Sequence, residues 1–379
     1  MEEVTGTQIN YTLTFHNFNS SSPPTYYGNN NNNTTNNMTK LIPHFGIQHD
    51  ELSFEKVFEI YIVPVLVVFG TIGNLLILLT VRQRNMSNWS ICFYLAAYAV
   101  VNIIILVPMS GLEWLCKVTG TKYVTELTDW TCKLWQFVMG VSIYSGIWFM
   151  YAMLVDQYIV IWLPHKAQSM CTIFMAKFAT VIIVIGLIVV SIHAIWTYEL
   201  FSNGCFVSPA QNDILTIVWP WVSLCCYCII PLLLIIIFIV LVIYGSFTKN
   251  TWKKSSSNYQ VPIDITFMTV ALSIFYVLFV GPATVLNIME INLPNSWLHD
   301  PEFYKAIMVA VTVGDLLTFL NPTFAFVICV SFSSTFRLEL QERIKSLCCE
   351  NVIRVYEMQV NNAGNVGNDP ENCSETTPL

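Results

Sequence analysis

The chain has 379 residues, a formal net charge of −7, and is 55% hydrophobic with only 11% charged residues. Soluble domains carry about 25% charged residues, so one large water-soluble core is excluded, and an acidic chain without a basic patch argues against a nucleic-acid partner. The apolar residues fall in separate long runs, the pattern of an all-α membrane protein.

The opening "MEEVTGTQIN" has neither a basic start nor an apolar core segment. It does not read as a secretory signal peptide, and a later segment is expected to direct the chain to the membrane. Residues 1–53 form a polar tail whose "GNNNNNTTNNMT" tract predicts disorder. Sequons begin at Asn10, Asn19, Asn32, Asn33 and Asn37, and glycosylation is expected there if the tail is extracellular. An Asn- and Thr-rich tract also makes sequons by chance. Asn85 and Asn88 begin two more, inside an expected inner loop.

Crossing hydrocarbon takes about 20 mostly apolar residues. Seven runs qualify: 55–82, 88–114, 132–163, 172–197, 214–245, 263–289 and 305–330. Pro64, Gly70, Pro231 and Pro282 lie inside them, as membrane helices allow where neighbours satisfy the freed backbone groups. An outer N-terminus puts Arg82, Arg84, Lys166, Lys177, Lys249, Lys253, Lys254, Arg337, Arg343, Lys345 and Arg354 inside. Lys40, Lys56, Lys117, Lys122, Lys133 and Lys305 are left outside, a moderate positive-inside bias. The expected architecture is a seven-transmembrane helix bundle over 54–331, a short amphipathic eighth helix over 332–349 and a disordered cytoplasmic tail over 350–379.

The cysteines sort by compartment. Cys132 opens the third span and Cys205 lies in the outer loop after the fourth. A disulfide between them would pin that loop over the bundle, leaving Cys116 free or competing for pairing. Cys225, Cys226 and Cys228 sit within the fifth span, where small apolar packing is the expected role. Cys348 and Cys349 follow the amphipathic segment "FRLELQERIKSL" and are either palmitoylation sites or two cytosolic thiols. Ser255 to Ser257, Ser374, Thr376 and Thr377 are phosphorylation candidates on the inner side.

The spans carry ordered fingerprints. Gly73-Asn74-Leu75 lies in the first and "LAAYA" (Leu95 to Ala99) in the second. The third runs from Cys132 to Asp156-Gln157-Tyr158, with Pro164 following. Pro231 is in the fifth, "FVGP" (Phe279 to Pro282) in the sixth and Asn321-Pro322 in the seventh. The 24 residues from Cys132 to Asp156 make about 36 Å of helix, enough to put the cysteine at one face of a bilayer and the triplet at the other. In this order the motifs resemble those of rhodopsin-like (class A) G-protein-coupled receptors. The resemblance covers about residues 55–349 and implies a multi-pass plasma-membrane receptor with an extracellular N-terminus. Its partners would be an extracellular ligand and a heterotrimeric G protein, an arrestin or both.

The departures from that family matter as much as the matches. The family's span-2 acid, which binds sodium, is matched here by Ala99, and Gly146 and Leu317 match its neighbours. These side chains cannot form an oxygen cage, so no sodium site is expected. The triplet arginine is Gln157, which can hydrogen-bond but cannot make a charged bidentate pair. Asp156 is thereby expected to lose its cation. Val280 replaces the tryptophan above Pro282, Ala325 the tyrosine after Asn321-Pro322 with Phe326 beside it, and Ile239 the span-5 tyrosine, while Tyr276 stands near Pro231 and Ile147. The switch residues are expected to be Asp156, Gln157, Tyr158, Ile147, Pro231, Tyr276, Pro282, Asn321 and Pro322. Two readings follow: a signalling receptor with a weak inactive-state lock and raised basal activity, or an atypical one that couples weakly or not at all to G proteins and acts as a scavenger, partner subunit or arrestin-biased receptor.

The ligand is narrowed by two mismatches. The retinal lysine position of opsins is Asp315, and the acid position of amine receptors is Met139. An ionisable group inside a span is a functional candidate by default. Asp315 either faces the bundle below a ligand cavity or is a protonated acid hydrogen-bonded to another span, through Asn102 or Ser142. The outer rim carries Glu113, Glu126, Asp129, Glu199, Asp213, Glu290, Asp300 and Glu302 against four lysines, which favours a positively charged ligand. A basic or amidated peptide touching Glu113, Gln136, Met139, Asn287, Glu290 and Asp315 is expected, with a lipid as the alternative. No internal repeat of a transporter is present, and no His-Glu-x-x-His or paired-Asp motif, so the chain is expected to be neither transporter nor enzyme and to need no cofactor or metal.

Overall fold

The structure, a computed structural model, describes residues 58–201, 204–207, 225, 229–248, 261–292 and 301–347. The tail sequons at Asn10, Asn19, Asn32, Asn33 and Asn37, the phosphorylation candidates, and Cys348 and Cys349 lie outside them. So does nearly all of the first half of the expected fifth span.

Seven long helices appear in chain order: α1 (Val63–Val81), α2 (Ser90–Thr119), α3 (Asp129–Trp162), α4 (Ile173–Ser191), α5 (Ile230–Thr248), α6 (Ile263–Asn292) and α7 (Pro301–Phe332). An eighth helix, α8 (Ser334–Leu347), turns away from the end of α7 by 102°. Among the described residues six helices are long and apolar enough to cross a membrane, and up to seven if the bent pair Leu316–Phe332 and Ser334–Leu347 counts as one span. The fold is the expected seven-helix bundle.

The surface chemistry shows why these helices need lipid. A helix of a soluble domain turns polar residues outward. On α4 only Ala176, Leu187 and Ser191 are buried, and the exposed residues include Phe174, Val181, Ile185 and Val189. On α1 the exposed residues include Val65, Val68, Phe69 and Ile72. Both helices are apolar all round, stable only in a hydrocarbon solvent.

Helix α3 is the axis. It packs against α2, α4, α5 and α6, while α1 bridges α2 and α7, and α6 bridges α5 and α7. Its 34 residues span about 51 Å. It begins earlier than the apolar run, because Thr128 caps it: the Thr128 hydroxyl accepts from the Thr131 N–H at 3.1 Å, and Thr131 Oγ1 accepts from the Thr128 N–H at 2.9 Å. Helix α2 runs past its apolar run to a left-handed Gly120 at φ 66°. It passes through a wider π-type turn, Ile105–Gly111, around Pro108, where Ser110 Oγ donates to the Ile105 carbonyl at 3.1 Å.

Small residues set the closest approaches, as is usual between membrane helices. A Cβ on Gly73 of α1 would lie 2.8 Å from Phe326 Cβ of α7, and one on Gly245 of α5 would lie 2.5 Å from Trp162 Nε1 of α3.

One short element beside the helices bears on the site. Between α4 and α5 lies an antiparallel hairpin, β1 (Tyr198–Phe201) paired with β2 (Gly204–Val207). Cys132 and Cys205 are disulfide-bonded with Cα atoms 5.6 Å apart, which ties β2 to the start of α3. Cys116 is a free thiol.

Candidate functional site

The candidate residues gather at three levels along α3: the disulfide end, the middle and the triplet end.

At the disulfide end the Leu200 N–H of β1 donates to Asp129 Oδ1 at 3.1 Å, while Asp129 Oδ2 pairs with Lys133 one turn on. Gln136 Nε2 lies 4.0 Å from Cys205 Sγ, beneath the hairpin. Met139 is buried one turn below, and Glu113 on α2 is half-buried. The other three ligand candidates, Asn287 and Glu290 on α6 and Asp315 on α7, lie on these helices with side chains outside the described ones.

In the middle, neutral polar groups tie α1, α2 and α7 together around Ala99. Asn74 Nδ2 donates to the Gly70 carbonyl at 2.7 Å and to the Pro322 carbonyl at 2.8 Å. Asn102 Nδ2 donates to Asn74 Oδ1 at 3.0 Å, and Asn321 Nδ2 to the Tyr98 hydroxyl at 2.8 Å. Asn102 thus has a partner of its own on α1. The Tyr98 ring also lies beside α3, since a Cβ on Gly146 would sit 3.8 Å from Tyr98 Cε2. The ring therefore fills space beside Gly146, one of the positions that match the family's sodium cage. Ile147 and Tyr276 are buried in the same apolar core, Pro231 is buried at the start of α5, and Pro282 is exposed on α6. Ala325 is buried, and Phe326 next to it stacks edge-on against Phe336 of α8 at 6.3 Å.

At the triplet end each residue faces a different helix. Asp156 is buried, and its Oδ2 accepts from Ser90 Oγ at 2.7 Å, the first residue of α2. Gln157 is 0% exposed. One end of its amide accepts from Thr266 Oγ1 of α6 at 2.6 Å, and the other end, Nε2, has no partner among the described residues. Tyr158 stacks on Trp162 and meets Phe238 of α5 edge-on at 5.3 Å, while Trp162 Nε1 donates to the Leu241 carbonyl at 3.0 Å. The triplet end joins α3 to α2, α6 and α5, and its partners Ser90, Thr266 and the Leu241 carbonyl are all uncharged.

Asp264, in the first turn of α6, was not singled out in the sequence. Its Oδ2 accepts from Ser333 Oγ at 2.8 Å, Ser334 Oγ at 3.1 Å and the Thr335 N–H at 2.7 Å, and its Oδ1 from Thr335 Oγ1 at 3.2 Å. These partners are the junction of α7 and α8. On the same side Asn85, in the α1–α2 loop, donates to the buried Glu339 of α8 at 2.8 Å. Among the described residues no three His, Cys, Asp or Glu side chains cluster as a metal ion would require.

Residues 73–325, more than half of the chain, match the family model described as 7 transmembrane receptor (rhodopsin family). A galanin-like G-protein coupled receptor of Caenorhabditis elegans, npr-9, is 24% identical over 168 residues, which are 41% of this chain and only 37% of that receptor. Human chemokine XC receptor 1 is 21% identical over 288 residues, 73% of this chain and 83% of that receptor.

Proposed function

The chain belongs to the rhodopsin family of seven-transmembrane receptors, and from that premise we propose that it binds an extracellular peptide at the disulfide end and passes the event to a heterotrimeric G protein, an arrestin or both at the triplet end. It is a multi-pass membrane protein and not an enzyme. In this reading the N-terminal tail, residues 1–53, is extracellular and glycosylated, the triplet end faces the cytoplasm, and Cys348 and Cys349 anchor α8 through palmitate.

The observation that carries the reading is the span of α3. One continuous helix holds the disulfide to the hairpin at its start and the Asp156-Gln157-Tyr158 triplet at its end. A peptide that touches Glu113 of α2 and presses on the hairpin and on Gln136 and Met139 acts on a rigid rod. The far end of that rod contacts three helices through hydrogen bonds that each contribute only about 1 kcal/mol net. Breaking the Gln157–Thr266 bond separates α3 from α6 without leaving an ion unpaired. Pro282 and Asn321-Pro322 supply the bending elements that a two-state bundle uses. The peptide assignment draws on the two relatives, whose names, galanin-like and chemokine, refer to polypeptides, and on the acidic rim. Asn287, Glu290 and Asp315 complete the proposed ligand set. Gln157 favours a second reading as well: a triplet without a cation engages a transducer less strongly, giving an atypical, arrestin-biased receptor.

The test is the full chain on cells, screened with a peptide library against G-protein and arrestin readouts together. A peptide response that disappears in Cys132→Ser and Cys205→Ser variants supports the proposal. A response through arrestin alone supports the second reading. Silence to peptides alongside a response to lipids transfers the site to a lipid ligand.

A further inference from the structure

We infer that Asp264 is a latch that holds the triplet end of α6 shut against α8, doing in this chain what a charged pair on α3 cannot do once residue 157 is glutamine. The inference rests on the receptor reading for its purpose, but its geometry is independent of any ligand or transducer.

The Thr335 N–H belongs to the first turn of α8, where main-chain donors have no partner within the helix. A helix usually satisfies such a donor with its own capping side chain. Here α8 has one: Ser333 Oγ accepts from the Phe336 N–H at 3.0 Å. Asp264 adds a second cap in trans, reaching across from α6 to the Thr335 N–H and to three hydroxyls. Hydrogen bonds to an ionised acceptor are roughly twice as strong as neutral ones, and a carboxylate at a helix N-terminus also meets the positive end of the helix dipole. Four bonds to a carboxylate outweigh the neutral Thr266–Gln157 bond between α6 and α3. The stronger tie of the end of α6 is therefore to α8.

The anchor itself is fixed. Phe336 is fully buried against Phe326, Glu339 takes the Asn85 amide, and Arg337 Nη1 donates to the Val330 carbonyl at 2.7 Å. The moving part is the segment of α6 between Asp264 and Pro282, joined to the rest of the helix at Gly281-Pro282. Swinging that segment outward breaks all four bonds together, so the latch keeps the unliganded receptor closed although its triplet has no cation. Because Ser333 still caps α8, losing Asp264 frees α6 without melting α8.

The experiment measures position, not only signal. Spin labels carried by unnatural amino acids at Gln168, exposed on the short helix after α3, and Phe267, exposed on α6, report the separation of the two helices in the full chain in lipid nanodiscs. Asp264→Ala should raise the long-distance population roughly tenfold, with basal G-protein or arrestin signal rising in step. Asp264→Asn, which keeps the shape, covers the case in which the alanine variant fails to reach the surface. The exchange Asp264→Ser with Ser334→Asp re-forms one of the four bonds with donor and acceptor traded, and should restore part of the closed distribution. A distance distribution unchanged in Asp264→Ala and Asp264→Asn overturns the latch, as does an exchange variant no more closed than Asp264→Ala. Long distances with no response from either transducer leave the latch standing and count against the signalling reading instead.

Discussion

The two ends of α3 are held in opposite ways. At the hairpin end the main tie is covalent, the Cys132–Cys205 disulfide, backed by the local Thr128 cap and Asp129–Lys133 pair and by the hydrogen bond from Leu200 to Asp129. At the triplet end they run between helices and are reversible hydrogen bonds from Ser90, Thr266 and Trp162. A bundle with one fixed end and one end held by exchangeable bonds has the build of a lever, and the lesson is that such a build does not require a charged pair on α3. The loose end is itself uneven. Helix α5 is keyed onto α3 by Trp162 and Gly245, whereas α6 meets α3 there through one hydroxyl–amide bond.

Breaking the fixed end should cost most. Cys205→Ser removes a cross-link worth about 2–5 kcal/mol, and the expected outcome is a large loss of surface receptor and of melting temperature, read by flow cytometry and a thermal-shift assay. Next comes the key between α3 and α5. Gly245→Ala places a methyl 2.5 Å from Trp162 Nε1 and 2.8 Å from Ile161 Cγ2, overpacking that costs about 1–3 kcal/mol and lowers the melting temperature while leaving the α3–α6 distance unchanged. If α5 were as free as α6, the methyl would be absorbed and stability would not fall. The smallest effect is at the neutral tie. Gln157→Arg brings a guanidinium beside Asp156, and we expect basal signalling to drop by about two- to fivefold, because the cost of burying the new charge offsets most of the pair's attraction. An unchanged basal level in a cell-based second-messenger assay would show that the α3 contact carries no part of the resting state.

Much of the bundle was legible because hydrophobic run length is a one-dimensional signal. Each apolar stretch had to become a helix, and Cys132 and the triplet were far enough apart to mark opposite faces. The hairpin is less legible, because its two strands are only four residues each and the segment's clearest sequence signal is Cys205. Tyr98 was passed over for a similar reason. Attention fell on the acid missing at Ala99, while Tyr98 and Asn102, four residues apart on one helix face, were the polar pair that fills the gap. Asp264 had no local signal that could have revealed its role. Its partners lie 69 to 71 residues away, and only the bend between α7 and α8 brings them together. The side chains of Asn287, Glu290 and Asp315 remain sequence proposals.

The trans cap on α8 also makes the molecule its own reporter. A main-chain amide exchanges its hydrogen with solvent only when its bond opens, and for most amides that means unwinding the helix they belong to. The Thr335 amide is different, because its acceptor sits on another helix. Its exchange rate therefore clocks the docking of α6, not the melting of α8, while the neighbouring Phe336 amide, held by Ser333 within the same turn, keeps time for α8 alone. The ratio of the two reads the resting balance of the receptor from native backbone atoms, with no label, ligand or transducer added.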